Sequence, residues 1–345
     1  MKVYKLFVLA TALTFIGCEQ ATLKSEHSNS PANIMSKSSF EHLQLNSENM
    51  MVHLQNFENI AKTNGGNRAV GTAGGKASAR YILDSAKKAN LNAQIMAFEN
   101  REKTLGQNII VEIPGQSKET AIIIGAHYDS VKMGPGINDN ASGVALTLEL
   151  MNELVKQKQK PKHTIYLAFW DSEEVGIAGS QDYVKKLSEE QLKGIQAYIN
   201  VDMVGTKNPE ILIADADKSS LIELQKTAKE NGVSEADLKP IIDSLNALPS
   251  HSGDIGLENE LKTFFKAKDL KIREDLSTLT ASDTLPFLGK VPVTSIILFN
   301  EQMKGDELEF APCYHKACDT IEQVDPQSLK LAGEAVIHLL NTLNK

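Results

Sequence analysis

A histidine and two aspartates stand close together in Ala126-His127-Tyr128-Asp129-Ser130 and Asn138-Asp139-Asn140-Ala141-Ser142-Gly143. Downstream, Asp171-Ser172-Glu173-Glu174 brings two adjacent glutamates, and Asp202 adds a further acid. Cys313-Tyr314-His315-Lys316-Ala317-Cys318 then brings a second histidine. Imidazole with carboxylate is a donor set that favours zinc, with cobalt and manganese as alternatives. A carboxylate between two such ions gives a dinuclear centre that clamps an oxygen, and that centre needs an open position for water. Adjacent residues leaving a strand point in opposing directions, so one glutamate can bind metal while the other faces the attacking water. One is then ligand and the other general base.

The elements around these motifs explain how they meet. Apolar, β-branched runs at 121–125, 164–170, 197–201 and 293–299 each precede one of the motifs. In open α/β sheets, ligands bind in the crevice beyond the carboxyl ends of the strands. Five ligand-type side chains therefore converge on one sheet edge. Helical periodicity over 40–61 is followed by Gly71-Thr72-Ala73-Gly74-Gly75, which breaks it before a helix over 77–89. Strands follow at 92–98 and 108–113. A helix over 142–155 places Val144, Leu148, Met151 and Val155 on one face, and a shorter crossover spans 177–187. One more strand at 209–214 and a helix at 221–230 come next. Asp325-Pro326 caps a last helix through 343. The succession predicts an α/β fold with a mostly parallel central sheet flanked by helices on both faces. Residues 232–281, with His251 and an amphipathic piece over 258–270, read as a candidate insertion over the crevice. No internal repeat is visible.

The chain has 345 residues and a formal net charge of -8, too acidic to suggest a nucleic-acid partner. Lys2 and Lys5 precede an apolar stretch over 6–16, too short to cross a bilayer, which reads as a secretory signal over 1–17. Phe15-Ile16-Gly17-Cys18 resembles a bacterial lipoprotein cleavage box, although Phe15 replaces the usual leucine. The expected consequence is export to the bacterial cell envelope on the periplasmic or cell-surface side, with the membrane touched only through a lipid at Cys18. The alternative is an ordinary signal peptide cut nearby. Residues 18–37 are polar and read as a flexible tether, leaving 38–345 as a single domain. Cys313 and Cys318 are then the remaining thiols, and in an oxidising compartment they are expected to pair. A reduced pair or a metal site are the alternatives.

Together the motifs resemble the bacterial leucyl aminopeptidase family of co-catalytic zinc exopeptidases. They are His127-x-Asp129, Asn138 to Gly143, Glu173-Glu174-x-Gly176, Asn200-x-Asp202-Met203-x-Gly205, Ser282-Asp283-x-x-Pro286-Phe287 and Cys313-Tyr314-His315. The resemblance runs from about position 67 to the carboxyl terminus. It implies the zinc exopeptidase (phosphorylase/hydrolase-like) architecture and two zinc ions per chain. His127 and Asp202 would hold one ion, Glu174 and His315 the other, and Asp139 would bridge them. Glu173 would be the general base, Tyr314 an oxyanion donor, and Asp129 the partner of the far nitrogen of His127. A cis peptide would follow Asp139.

The implied activity is release of residues from peptides with a free amino terminus. Carboxylates beside the zincs suit an ammonium, and Arg101 and Arg273 lie outside the motifs. Ala281 stands where several family members carry a basic residue, which bears on how the substrate end is read. Carboxypeptidases and single-zinc glutaminyl cyclases share the family, and a non-catalytic binding ectodomain is the reading from another class. Retention of every ligand position favours the two-metal hydrolase. Taken singly, His127 would be a core histidine and Glu173-Glu174 a solvated turn. His27 falls in the tether, and His42, His53, His163 and His338 read as solvated. Tyr128 reads as a packing residue, and His251 is left open as a residue that could line the crevice.

Overall fold

The computed structural model describes residues 40 and 42–345 apart from 305 and 306. The expected leader, Cys18 and the tether lie outside the described residues. The first helix among the described residues, α1 (Ser47–Thr63), begins seven residues later than its periodicity suggests, because Asn46 caps it by accepting from Glu48 N. Met50, Leu54, Phe57 and Ala61 form its buried stripe. Helix α2 (Ala73–Lys88) starts earlier than expected, on a Thr72 cap that accepts from Gly75 N. Gly74 and Gly75 thus belong to its first turn rather than to a break. A Cβ on either would lie within 2.3 Å of a carbonyl of Asn67 or Ala69, so only glycine lets the entering chain fold back so closely.

The main sheet combines β1 (Ala93–Glu99), β2 (Leu105–Ile113), β3 (Ser117–His127), β4 (His163–Trp170), β5 (Ile195–Asp202), β6 (Glu210–Ala214), β7 (Ile272–Asp275) and β8 (Val293–Phe299). Its eight strands run in the order β1-β2-β4-β3-β5-β8-β6-β7. The central neighbours β4, β3, β5 and β8 are parallel, whereas β1-β2, β2-β4 and β8-β6 are antiparallel. The central strands are buried on both faces, which accounts for their continuous apolar runs.

One face of the sheet is covered by α1, by α3 (Ser142–Leu154) and by α10 (Pro326–Leu343), whose cap Asp325 accepts from Gln327 N and Ser328 N. Helix α3 is buried on nearly every side. Val155, expected on its apolar face, falls beyond its end and is 40% exposed. The other face packs α4 (Ala178–Lys186), α5 (Glu189–Gly194), α6 (Ser220–Glu230) and α7 (Glu235–Asn246) around Trp170, Tyr198 and Phe287. Residues 232–281 supply α7, α8 (Asp254–Ala267), the edge strand β7 and the short α9 (Ser277–Thr280). Leu257, Leu261 and Phe265 of α8 join the same core as α10. A separate hairpin pairs β9 (Gln302–Lys304) with β10 (Glu307–Glu309). No helix among the described residues is long and apolar enough to cross a membrane.

Candidate active site

Parallel strands end on the same side, and here the ends of β3, β4 and β5 deliver the chemistry. His127 is the last residue of β3 and Asp202 the last of β5. The glutamates do not leave a strand by simple alternation. β4 stops at Trp170, Ser172 takes a left-handed φ of 61°, and Glu173 and Glu174 follow in a turn. Their backbone N–H groups donate to Asp129 at 3.1 and 3.3 Å. The divergence of the two side chains is therefore set by this turn rather than by strand pleat.

Asp139 sits in an irregular stretch before α3, and its bond to Asn140 is cis. Its neighbours hold that stretch against the loop that follows β5. Asn138 donates to Thr206 Oγ1 and accepts from Gly205 N. Asn140 donates to Val201 O and accepts from Gly143 N and Met203 N. Ser142 donates to Asn138 O and accepts from Val204 N.

Two groups of ligand-type atoms result. His127 Nε2 lies 3.3 Å from Asp139 Oδ1 and 3.6 Å from Asp202 Oδ1. His315 Nε2 lies 3.2 Å from Asp139 Oδ2 and 3.1 Å from Glu174 Oε2. Donors about 2.0 Å from a tetrahedral ion stand about 3.3 Å apart, so these separations suit zinc. Asp202 Oδ1 and Glu174 Oε1 are buried and hydrogen-bonded to nothing, as expected of atoms arranged for a cation. Opposite His127, Nδ1 faces Asp129 Oδ1 at 3.5 Å. Asp202 Oδ2 accepts from Ser282 Oγ at 2.6 Å, and Ser282 in turn accepts from Asn200. The Cys313–Cys318 disulfide is formed, with Cα atoms 5.3 Å apart, and its loop presents His315 and Tyr314. The Tyr314 ring stacks on His315 at 3.8 Å and meets Phe310 edge-on.

Charge in the site is unbalanced. Burial opposes protonation of His127, yet Asp202, Asp129 and Asp139 outweigh it and hold the imidazole well above its ordinary range. Burial, with Asp139 beside it, lifts Glu174 to about 7. Burial also lifts Glu173 well above the carboxylate range, opposed by His127 and reinforced by Glu174, Asp283 and Asp202. Glu173 has no side-chain hydrogen bond or ion pair among the described residues. Such a surplus of buried negative charge calls for cations. A separate acid group, Asp215, Asp217, Glu258 and Glu274, has Lys262 paired to Glu258 and, at 2.7 Å, to Glu274.

The site opens into a cleft of about 2240 Å³ whose wall includes Leu221, Leu224, Leu285 and Leu288. The sequence-predicted His127, Asp139, Glu173, Glu174, Asp202, Tyr314 and His315 all line it. Asp129 lies behind His127, and His251 is not on the wall but just before α8, its backbone N–H donating to Asp254. Arg273 is engaged by Glu210, Asp275 and Glu301, while Arg101 lies over Gly176 at the cleft wall. Tyr128 is a buried packing residue whose OH also donates to Asp171.

Some histidines correct the sequence reading. His53 is half-buried and bonded to the Tyr81 hydroxyl, His163 is buried against Thr120, and His338 meets Glu260. Sequence reasoning also missed Arg68 and Asp319, both buried behind the site. Neither stands in a ligand-like spacing, so only their tertiary partners reveal them.

The profile of peptidase family M28 matches residues 108–340, which include every candidate ligand. The chain belongs to peptidase family M28. Among its M28-like relatives, leupeptin-inactivating enzyme 1 of Streptomyces exfoliatus is 28% identical over 86% of this chain and 61% of its own length. The probable lipoprotein aminopeptidase LpqL of Mycobacterium tuberculosis is 30% identical over 72% of this chain and 46% of its own. The chain thus spans less than two thirds of the length of these relatives. In fold, it resembles a zinc aminopeptidase from Bacillus subtilis, with a TM-score of 0.65 at 18% identity over 87% of this chain and 95% of that one. It also resembles the Porphyromonas gingivalis glutaminyl cyclase, with a TM-score of 0.63 at 20% identity over 86% and 98%. The fold is therefore shared by an aminopeptidase and a glutaminyl cyclase.

Proposed function

We propose that this chain is a two-zinc aminopeptidase that releases single residues from the free amino terminus of peptides. The observation that carries the reading is the shared Asp139, one oxygen of which faces His127 and the other His315. In this reading His127 and Asp202 would hold one zinc, Glu174 and His315 the second, and Asp139 would serve both. When bound, the ions polarise the scissile carbonyl and make water a stronger acid. Glu173 takes the proton of the attacking water and returns it to the departing amine. Tyr314 donates to the carbonyl oxygen as it gains negative charge. Asp129 faces Nδ1 of His127 and orients its ring.

Carboxylates around the cleft floor suit a substrate ammonium, and the engagement of Arg273 by three carboxylates removes one candidate for reading a carboxylate. The leucines on the wall favour an apolar first side chain. The aminopeptidases among the relatives support the same choice. The test is a pair of tripeptides, one N-acetylated and one C-amidated. The amidated peptide should be cut and the acetylated one left intact; the opposite pattern would make the enzyme a carboxypeptidase. Cyclisation of an amino-terminal glutamine without peptide cleavage would make it a glutaminyl cyclase.

The same reading takes 1–17 as a leader, 18–37 as a tether and 38–345 as one peptidase domain, exported and held at the cell envelope by a lipid on Cys18. The lipoprotein name of the Mycobacterium tuberculosis relative and the disulfide support it. Cys18→Ala should turn a membrane-associated protein into a soluble one, and continued membrane fractionation would rule out this anchor.

A further inference from the structure

Asp319 stands one residue beyond the disulfide and is 2% exposed. Three successive backbone N–H groups end on it. Ile137 N donates to its carbonyl at 3.1 Å, Asn138 N to Oδ1 at 2.9 Å and Asp139 N to Oδ2 at 3.1 Å. Hydrogen bonds to a carboxylate are the stronger kind, and here they cross 181 and 180 residues of sequence. Both oxygens accept backbone N–H groups and Asp319 is absent from the cleft wall, so it stands behind the site rather than in it.

The loop that ends at Asp319 also carries His315, and its turns are tight. Lys316 N donates to Cys313 O at 2.9 Å and Asp319 N to Lys316 O at 3.1 Å. On its other flank, a Cβ on Gly134 would lie 2.1 Å from Lys316 O, so the two loops meet backbone to backbone. Arg68, fully buried, donates to the carbonyls of Tyr128, Pro135 and Gly136. Arg68 thus ties the start of the stretch before Asp139 to Pro135 and Gly136, and Asp319 holds the three residues that follow them.

We infer that Asp319 is a positioning residue that locks the spacing between Asp139 and His315, so that this pair of donors is set before an ion arrives. The inference rests on reading Asp139 and His315 as zinc ligands. Removing one acceptor oxygen takes away one of the bonds that hold the backbone of Asp139, and the distance from Asp139 to His315 is less tightly fixed.

The test uses the full chain with Asp319→Asn, which keeps the size but sets an amide NH2 against one of the N–H groups. Chelator competition should show at least about tenfold weaker binding of a zinc, and amides 137–139 should lose hydrogen-exchange protection. Leu329→Ala, a buried leucine of α10, is the control for general destabilisation. It should lower the melting temperature and leave zinc affinity as in the parent. Equal weakening in both variants, or none in Asp319→Asn, would overturn the inference. Should Asp319→Asn not fold, the parent protein decides. Stripped of zinc, it keeps protection at 137–139 if Asp319 holds the loop and loses it if the metal does. A parent protein that binds no zinc at all would instead defeat the two-zinc reading, before any variant is made.

Discussion

Asp129 faces Nδ1 of His127 at 3.5 Å with the same oxygen that receives the N–H of Glu173, while its other oxygen receives the N–H of Glu174. One buried carboxylate therefore ties the strand end that presents an imidazole to the turn that presents both glutamates. The relative placement of the proposed ligands and base is fixed behind the cleft. This arrangement lets the two glutamates be tested separately.

Glu173→Gln should retain zinc and lose activity by at least about a hundredfold, the usual cost of removing a general base. Glu174→Gln should instead lose metal, because its carboxylate lies 3.1 Å from His315 Nε2. Metal analysis beside initial rates separates the two. Undiminished turnover in a zinc-replete Glu173→Gln protein would remove Glu173 from the mechanism.

The disulfide closes a loop of sequence separation 5, so its effect on overall stability should be small. Its effect on the site should be larger, since small misplacements of reacting groups are costly. Replacing Cys313 and Cys318 by serine should keep the circular dichroism spectrum and reduce activity at least about tenfold. Full activity in the double variant would show that the rest of the loop is sufficient.

Gly125→Ala should act on the site from below the sheet. A Cβ there would lie 2.4 Å from Trp170 Nε1 and 2.5 Å from the Tyr198 hydroxyl. That would break the run of hydrogen bonds from Trp170 through Tyr198, Asn200 and Ser282 to Asp202. Overpacking of this kind costs about 2 kcal/mol, measurable in urea. Trp170 is the one tryptophan in the chain, so its emission reports the shift directly. An unchanged midpoint and spectrum would mean that the strands yield without strain.

His53 should make stability depend on pH. Burial, aided by Lys88, lowers it from 6.5 to about 4, so unfolding takes up a proton between those values. The neutral ring stabilises the fold fully above pH 6.5, and that contribution is lost as the pH falls through 6.5 towards 4. His53→Gln cannot charge and should remove on the order of 2 kcal/mol of the decline between pH 7 and pH 4. Parallel slopes for the two proteins in denaturant titrations across that range would place His53 in water.

The central strands were legible in the sequence because a parallel strand buried on both faces must be continuously apolar, as in 121–125 and 164–170. The candidate ligands were legible for a related reason: His127, Glu174 and Asp202 stand at or just past the ends of such strands, and ordered imidazole and carboxylate residues there have few structural uses. Boundaries fared worse wherever a cap or a close approach decided them. Asn46 starts α1 late, and the backbone contacts of Gly74 and Gly75 start α2 early. His53 and His163 looked solvated because their polar neighbours in sequence gave no hint of Tyr81 and Thr120.

The sequence alone determined which side chains are the candidate ligands and base and on which edge of the sheet they stand, since both follow from residue type and local periodicity. The tertiary structure alone decided their spacing. That spacing depends on hydrogen bonds between segments far apart in the chain, such as Asp319 to the N–H groups of Asn138 and Asp139, and on a buried Arg68 bound to three carbonyls. Backbone groups are the same at every residue, so no pattern of side chains announces where they will meet.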